Sequence, residues 1–196
     1  MTIILFSGIM ALVLWPRFCL AHPHVFIETE MEIKLGEQGI SGIWQHWTFD
    51  EFFSAWVADE FDQNRDGRFS AEETRKLYEE AFKNLKQYGF WTRVIIKDRQ
   101  IPVERIEQFS VEMVNNQARY SFFLPLDISV TTHTEVFIAV YDHDFYCQIF
   151  FPPREVGFLG NLSPWKIDHS TRKMPELTYY FGFITPVAVK ISIAPS

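Results

Sequence analysis

Apolar and polar residues alternate along the stretch from Val25 to Leu35. A two-residue period of this kind predicts a β-strand with one buried face and one polar face. Turn-forming residues follow at 36–39, and the next stretch, Ile40 to Phe49, is rich in branched and aromatic side chains. We therefore expect a hairpin of two strands in this part of the chain.

After Phe49 the hydrophobic period changes to that of a helix. Thr48 and Glu51 have the spacing of a capping box, which predicts that the first helix begins here. A second helical series follows the acidic stretch 62–73 and is expected to end at Gly89. The apolar positions are Phe52, Phe53, Trp56, Val57 and Phe61 in the first series, and Leu77, Ala81, Phe82 and Leu85 in the second.

Beyond Gly89 the chain is rich in aromatic and β-branched residues separated by turn and proline signals. The predicted strands are Trp91–Lys97, Ile106–Val114, Arg119–Leu124, Glu135–Tyr141, Phe145–Phe151 and Val187–Ile193. Residues 152–175 are predicted to be a long irregular connection. The expected fold class is α+β, an antiparallel β-sandwich-like body with a helix–loop–helix inserted at about residues 48–89.

The apolar run from Ile3 to Leu14 is too short to span a bilayer and has the length of a signal-peptide core. Ala21 supplies the small residue expected before a cleavage site. We therefore expect residues 1–21 to be a signal peptide, residues 22–196 to form a single β-rich domain, and His22 to become the new N-terminus. An uncleaved membrane anchor is the alternative.

Composition narrows the classes of partner. The chain carries a formal charge of −7, and loss of the leader with its one basic residue, Arg17, changes this to −8. An acidic protein of this kind is not expected to bind DNA or other nucleic acid. The mature chain would keep one cysteine, Cys147, so no internal disulfide can form, and its apolar neighbours predict a buried thiol.

The stretch 62–73 matches a calcium-binding EF-hand loop position by position. Short carboxylates and amides alternate along it because hard cations want six to eight oxygen ligands, and Gly67 permits the sharp turn in its middle. The predicted ligands are Asp62, Asn64, Asp66, Arg68 through its carbonyl, Ser70 and Glu73. The inserted helix–loop–helix is therefore EF-hand-like.

One such loop in isolation predicts a structural Ca²⁺ clamp rather than a paired sensor, and Arg65 and Arg68 reduce its negative potential. The alternative is a surface loop of similar sequence that holds no metal.

A second candidate metal site lies at the new N-terminus. His22 and His24 would point to the same face of a strand, and the freed α-amine of His22 can chelate together with its ring. Pro23 has no amide proton, which excludes the copper and nickel geometry that uses ionised amides of the second and third residues. Sites rich in nitrogen suit Ni²⁺, Co²⁺, Zn²⁺ or Cu²⁺. The alternative is that both histidines are merely exposed.

Further ligands for this site are expected from other parts of the chain. If Leu35 pairs with Ile40, the hairpin brings Asp50 and Glu51 close to His24. The remaining candidates are His46, Asp142 and His143, with Asp144 beside them. The 142–144 cluster is a less specific signal than His22 and His24, and the alternative is that it forms only a solvated turn.

Several of these stretches together resemble one protein family, the periplasmic proteins grouped as domain of unknown function 1007. The matching parts are His22-Pro23-His24-Val25-Phe26-Ile27, Trp47-Thr48-Phe49-Asp50-Glu51-Phe52, the acidic loop 62–73, and Tyr141-Asp142. The resemblance implies a periplasmic component of a transport system and, as its partner, an inner-membrane permease for metals such as nickel or cobalt. His143 stands where the family pattern commonly has proline.

The function expected from these observations is a non-enzymatic periplasmic accessory protein that binds a transition metal and carries a structural Ca²⁺ loop. One alternative is a copper redox enzyme that uses the N-terminal histidine as a brace. Another is a calcium-stabilised β scaffold or adhesion module. The chain contains no Gly-x-Ser-x-Gly, His-Glu-x-x-His or Cys-x-x-Cys motif, which lowers the expectation of hydrolase or thiol chemistry.

Overall fold

The structure is a computed structural model that describes residues 23–151 and 156–196. The expected signal peptide and His22 lie outside the described residues. The strands are β1 Val25–Leu35, β2 Gly39–Phe49, β3 Thr92–Ile96, β4 Arg99–Ile101, β5 Glu107–Val114, β6 Gln117–Ser129, β7 Thr134–Val140, β8 Cys147–Phe150, β9 Val156–Gly160, β10 Trp165–Lys173 and β11 Val187–Pro195. The helices are α1 Glu51–Phe61 and α2 Ala71–Leu77, which continues as a π turn, Tyr78–Phe82, and a 3₁₀ segment, Lys83–Trp91; a short 3₁₀ turn spans Pro175–Leu177.

The strands form two sheets. The first sheet has the order β5-β6-β2-β1-β8, and β9 also pairs with β1; the second has the order β10-β11-β7-β3-β4. The helices occupy the chain between β2 and β3. The predicted β-rich α+β class is therefore confirmed.

The expectation of purely antiparallel sheets is wrong at one strand. Strand β1 pairs in parallel with both β8 and β9, whereas its pairing with β2 is antiparallel. The reason is the path of the chain: it leaves β7 in the second sheet and enters the first sheet beside the start of β1, so β8 runs in the same direction as β1. A local hydrophobic pattern cannot reveal such a crossover.

The expectation of an irregular connection over residues 152–175 is also wrong, since β9 and β10 lie there. Strand β10 forms the edge of the second sheet and most of its residues are exposed. This strand is held in place by backbone pairing with β11 along nine residue pairs, from Trp165 to Lys173. An exposed edge strand needs no alternating apolar residues, which explains why the sequence did not indicate it.

One cluster of buried hydrophobic residues includes side chains of both sheets and of the helical segments. Trp47 lies fully buried within it, with its ring 4.9 Å from that of Phe122 and 5.5 Å from that of Trp91. Its indole N–H donates to the Gln45 Oε1, and the Gln45 Nε2 donates to the Thr92 Oγ1. This buried polar chain connects β2 of the first sheet to β3 of the second. Within the described residues, no helix has the length and apolar character needed to span a membrane.

Candidate functional site

The loop between α1 and α2 is organised by the carboxylate of Asp62. This side chain is only 6 % exposed, and its two oxygens accept hydrogen bonds from the backbone N–H groups of Asp66 at 3.2 Å and Gly67 at 2.8 Å. Gly67 has a φ of +75°, which a residue with a side chain adopts only at a cost. The glycine therefore allows the chain to turn back over Asp62.

Glu73 closes the other end of the loop. Its Oε1 accepts from the Gln63 N–H at 2.8 Å, and its Oε2 accepts from the Ser70 N–H at 2.9 Å and from the Ser70 hydroxyl at 2.7 Å. The Ser70 Oγ in turn accepts from the Glu73 N–H, so Ser70 and Glu73 form a capping box at the start of α2. The Ser70 hydrogen bonds lower the pKa of Glu73, which keeps the carboxylate charged.

The middle of the loop carries further oxygen atoms. The Asn64 Oδ1 accepts from the Asp66 N–H, and the Asp66 Oδ1 accepts from the Arg68 N–H. Arg65 lies 3.7 Å from Asp59 on the exposed side of α1. Both side chains are exposed, so water screens this ion pair.

The second region of interest is the N-terminal end of β1. The His24 N–H donates to the Tyr146 carbonyl at 2.9 Å, the two rings lie 5.0 Å apart, and Val25 pairs with Cys147. The parallel pairing of β1 and β8 therefore brings His24 beside the segment that follows Asp142. We refer to this region, formed by residues 23–26, Asp50 and residues 142–147, as the β1 end.

Asp50 belongs to this region but serves a structural purpose there. Its Oδ2 accepts from the Phe26 N–H at 2.7 Å, and its Oδ1 accepts from the N–H groups of Phe52 and Phe53. Asp50 is thus the N-cap of α1, and the prediction that Thr48 and Glu51 form the capping box is wrong. Thr48 is held inside β2, where it pairs with Glu28.

Glu51 is exposed in the first turn of α1. Leu35 does pair with Ile40, the condition on which Asp50 was expected near His24, and a register shift between Lys34 and Leu35 then places Asp50 next to Phe26, two residues from His24.

Asp142 is buried, and its carboxylate accepts from the N–H groups of Asp144 at 3.1 Å and Cys147 at 2.9 Å. His143 is exposed, with its ring edge-on to that of Tyr179 at 6.3 Å. The cluster is therefore a turn held by Asp142, with His143 and Asp144 at its surface.

Asp50 and Asp142 both act on the thiol of Cys147. Burial, with smaller contributions from Asp142 and Asp50, raises the pKa of its thiol to about 12. The predicted burial of Cys147 is confirmed. The influence of Asp142 and Asp50 on this thiol was not predicted, because it depends on the parallel pairing of β8 with β1.

Other candidate ligands lie apart or are not grouped. His46 sits in the middle of β2, opposite Glu30, with its ring nitrogens near the Ser121 hydroxyl at 2.8 Å and a Glu32 oxygen at 3.4 Å. Within residues 23–151 and 156–196, no three histidine, cysteine, aspartate or glutamate side chains are grouped closely enough to hold a metal ion. The β1 end therefore contains His24, His143 and Asp142 as possible metal ligands that do not form a compact group.

Comparisons with known proteins place the chain in a family without assigning an activity. It is 27% identical over 135 residues to an uncharacterized 15.5 kDa protein in the trpE 3' region of Spirochaeta aurantia, a match that covers 69% of this chain and 96% of the relative. The sequence pattern of the family described as Protein of unknown function (DUF1007) matches residues 8–172, a range that contains both the 62–73 loop and the β1 end. The chain belongs to this family of proteins of unknown function.

Proposed function

We propose that this protein is a periplasmic accessory protein that binds a transition-metal ion at the β1 end and exchanges it with an inner-membrane permease. In the same proposal, the 62–73 loop binds Ca²⁺ as a structural clamp. The observation that carries the transition-metal part is the meeting of His24 with the Asp142–Cys147 segment across β1 and β8. His22 directly precedes Pro23, the first described residue, so its amine and ring would add two nitrogen ligands next to this end.

The ligand set at the β1 end favours a borderline metal such as Ni²⁺, Co²⁺, Zn²⁺ or Cu²⁺. Imidazoles of His22, His24 and His143 would supply nitrogen, and Asp142 would supply oxygen while holding its turn through two backbone hydrogen bonds. Asp50 already accepts three backbone hydrogen bonds, so it contributes mainly negative charge. Glu51 is exposed nearby and would reach the ion only through its flexible side chain.

The 62–73 loop supports the calcium part through its oxygen atoms. Carboxylates of Asp62, Asp66 and Glu73, the Asn64 amide, the Ser70 hydroxyl and the Arg68 carbonyl give the kind and number of ligands that Ca²⁺ takes. Asp62 and Glu73 each bind backbone N–H groups across the loop, which holds its two ends together. The carboxylates would draw closer around the ion, since they are not grouped as three in the described structure.

Titration calorimetry on protein that begins at His22 tests the transition-metal site. Ni²⁺, Co²⁺, Zn²⁺ and Cu²⁺ are each added to the wild type and to a His22→Ala/His24→Ala double variant. We expect the double variant to lose more than about a hundredfold in affinity, because it lacks both chelating rings. A His133→Ala variant, altered at an exposed histidine elsewhere, serves as the matched control and keeps the affinity. Equal binding by the double variant would reject the site.

A second function is favoured by one specific observation. Asp50 and Asp142 are both used to hold backbone N–H groups, as expected of a β1 end that is purely structural. The protein would then be a calcium-stabilised β scaffold with no transition metal. Thermal unfolding with Ca²⁺ and with a chelator tests this function, and an equal melting temperature in the two conditions would reject it.

A further inference from the structure

An apolar cavity of about 480 Å³ opens beside the β1 end. It lies between the ends of β1 and β2, the helical segments and the start of β3. Residues from all these elements line it, among them Val25, Phe49, Phe53, Phe82 and Trp91. A volume of this size is within the range of sites that bind small organic molecules.

The walls of the cavity are mainly aromatic and are fixed by mutual packing. The Phe49 ring lies 4.5 Å from both the Phe53 and the Tyr120 rings, and Phe82 lies 6.0 Å from Tyr120. Rings that support one another in this way keep the space open without a ligand. They offer flat apolar surface to the body of a small molecule.

Tyr120 belongs to this apolar wall through its ring. Its hydroxyl is buried and has no hydrogen-bond partner within residues 23–151 and 156–196. Burial raises the pKa of Tyr120, so the hydroxyl stays neutral. The hydroxyl oxygen has almost no accessible surface, so a molecule in the cavity would contact the ring of Tyr120 rather than its hydroxyl.

The charges at the rim of the cavity favour a cationic group. Asp142 and Asp144 line it together with one basic residue, Arg93. The guanidinium of Arg93 keeps its charge, since its contacts are with the Tyr88 carbonyl, 2.8 Å from its Nη1, and with the Tyr141 ring, whose centre lies 5.7 Å from its carbon; two acids against one base nevertheless give these three groups a net negative charge. The negative charge of the two acids therefore dominates for an incoming ligand.

We propose that this cavity binds a small amphipathic amine, with its apolar body against the aromatic rings and its ammonium group near Asp142 and Asp144. The inference goes beyond the metal proposal and does not depend on it. The two sites share Asp142 and His143, so a bound amine and a bound metal would compete for the same rim.

Displacement of the neutral fluorescent dye N-phenyl-1-naphthylamine tests the proposal, with a chelator present throughout. We expect saturable dye binding, and we expect 4-phenylbutylamine to displace the dye at about tenfold lower concentration than 4-phenylbutanoate, which has the same carbon skeleton. Asp144→Asn should reduce this preference and leave dye affinity unchanged, because Asp144 is exposed at the rim.

A pair of matched variants locates the binding. Ala81→Trp places a large ring in the lining and should abolish dye binding, whereas Ala55→Trp, on an exposed position of α1, should not. Circular dichroism checks that both variants fold, and Leu85→Trp replaces Ala81→Trp if that variant does not. The His22→Ala/His24→Ala variant should still bind the dye, which separates this proposal from the metal site. No dye binding by the wild type, binding unchanged in the blocking variants, or equal displacement by amine and acid would each overturn the proposal.

Discussion

The 62–73 loop and the β1 end are both candidate metal sites, but they are assembled in different ways. The loop uses one continuous segment, and its hydrogen bonds join residues no more than ten positions apart. The β1 end joins three segments, around His24, Asp50 and Asp142, that meet only because β1 pairs with both β2 and β8. A change in strand register would therefore leave the 62–73 loop intact, whereas it would separate the three segments of the β1 end.

Cys147 gives the sharpest measure of how closed the β1 end is. The pKa of its thiol is raised from 9.0 to about 12, so the reactive thiolate should be about a thousandfold less populated than in an unfolded chain at the same pH. In protein that begins at His22, where Cys147 is the one cysteine, we expect an aromatic disulfide reagent to label the native state at least that much more slowly than the urea-unfolded state. Labelling is followed by absorbance at pH 8. Equal rates would show that the β1 end is open.

Glu73, the proposed calcium ligand at the end of the 62–73 loop, gives the next largest effect. Glu73→Gln removes a carboxylate that would otherwise close the loop on the ion, and we expect Ca²⁺ affinity to fall by more than about a hundredfold. Glu72→Gln is the matched control, because Glu72 is adjacent, has the same charge and is exposed. Calorimetry with Ca²⁺ measures both variants. Similar losses in both would mean that only overall charge matters.

The contrast between the two regions also explains what the sequence could predict. The β1–β2 hairpin was predicted correctly because alternation and turn residues are local signals, whereas the register shift between Lys34 and Leu35 was not predicted. The positions of α1 and α2 on either side of the loop follow from the helical spacing of their apolar residues. These signals lie within a few residues of the structure that they specify.

Features that depend on distant parts of the chain were not predicted. Nothing near Val25 indicates that Cys147 will pair with it in parallel, and nothing near Tyr120 indicates that its hydroxyl will be buried without a partner. The N-cap of α1 could be predicted only in part. Both Thr48 and Asp50 are residue types that cap helices, but Thr48 is paired within β2, so Asp50 is the cap. Strand β10 was missed because its order comes from pairing rather than from burial.

Variants of Asp50 can distinguish a structural role of the β1 end from a role in metal binding. Asp50→Ala removes the N-cap of α1 and the acceptor for the Phe26 N–H, so we expect the free energy of unfolding to fall by about 1–2 kcal/mol without any metal. Asp50→Asn keeps a good capping side chain and loses the charge. Urea unfolding measures stability, and metal titration is run on the same samples. If Asp50→Asn lowers metal affinity while stability is kept, the charge of Asp50 contributes to the site.

The smallest expected effect is the response of the calcium-free loop to acid. Hydrogen bonds from Ser70 lower the pKa of Glu73 below its ordinary value of 4.5, so ionised Glu73 stabilises the fold at pH values above 4.5. This stabilisation is lost as the pH falls through the lower pKa of the folded state. Glu73→Gln lacks it at every pH, and the difference in melting temperature between wild type and variant should therefore shrink between pH 6 and pH 3. Glu72→Gln should show no such convergence. A constant difference for Glu73→Gln would mean that the capping geometry, rather than the charge, makes the contribution, and the loop would then be held by shape alone.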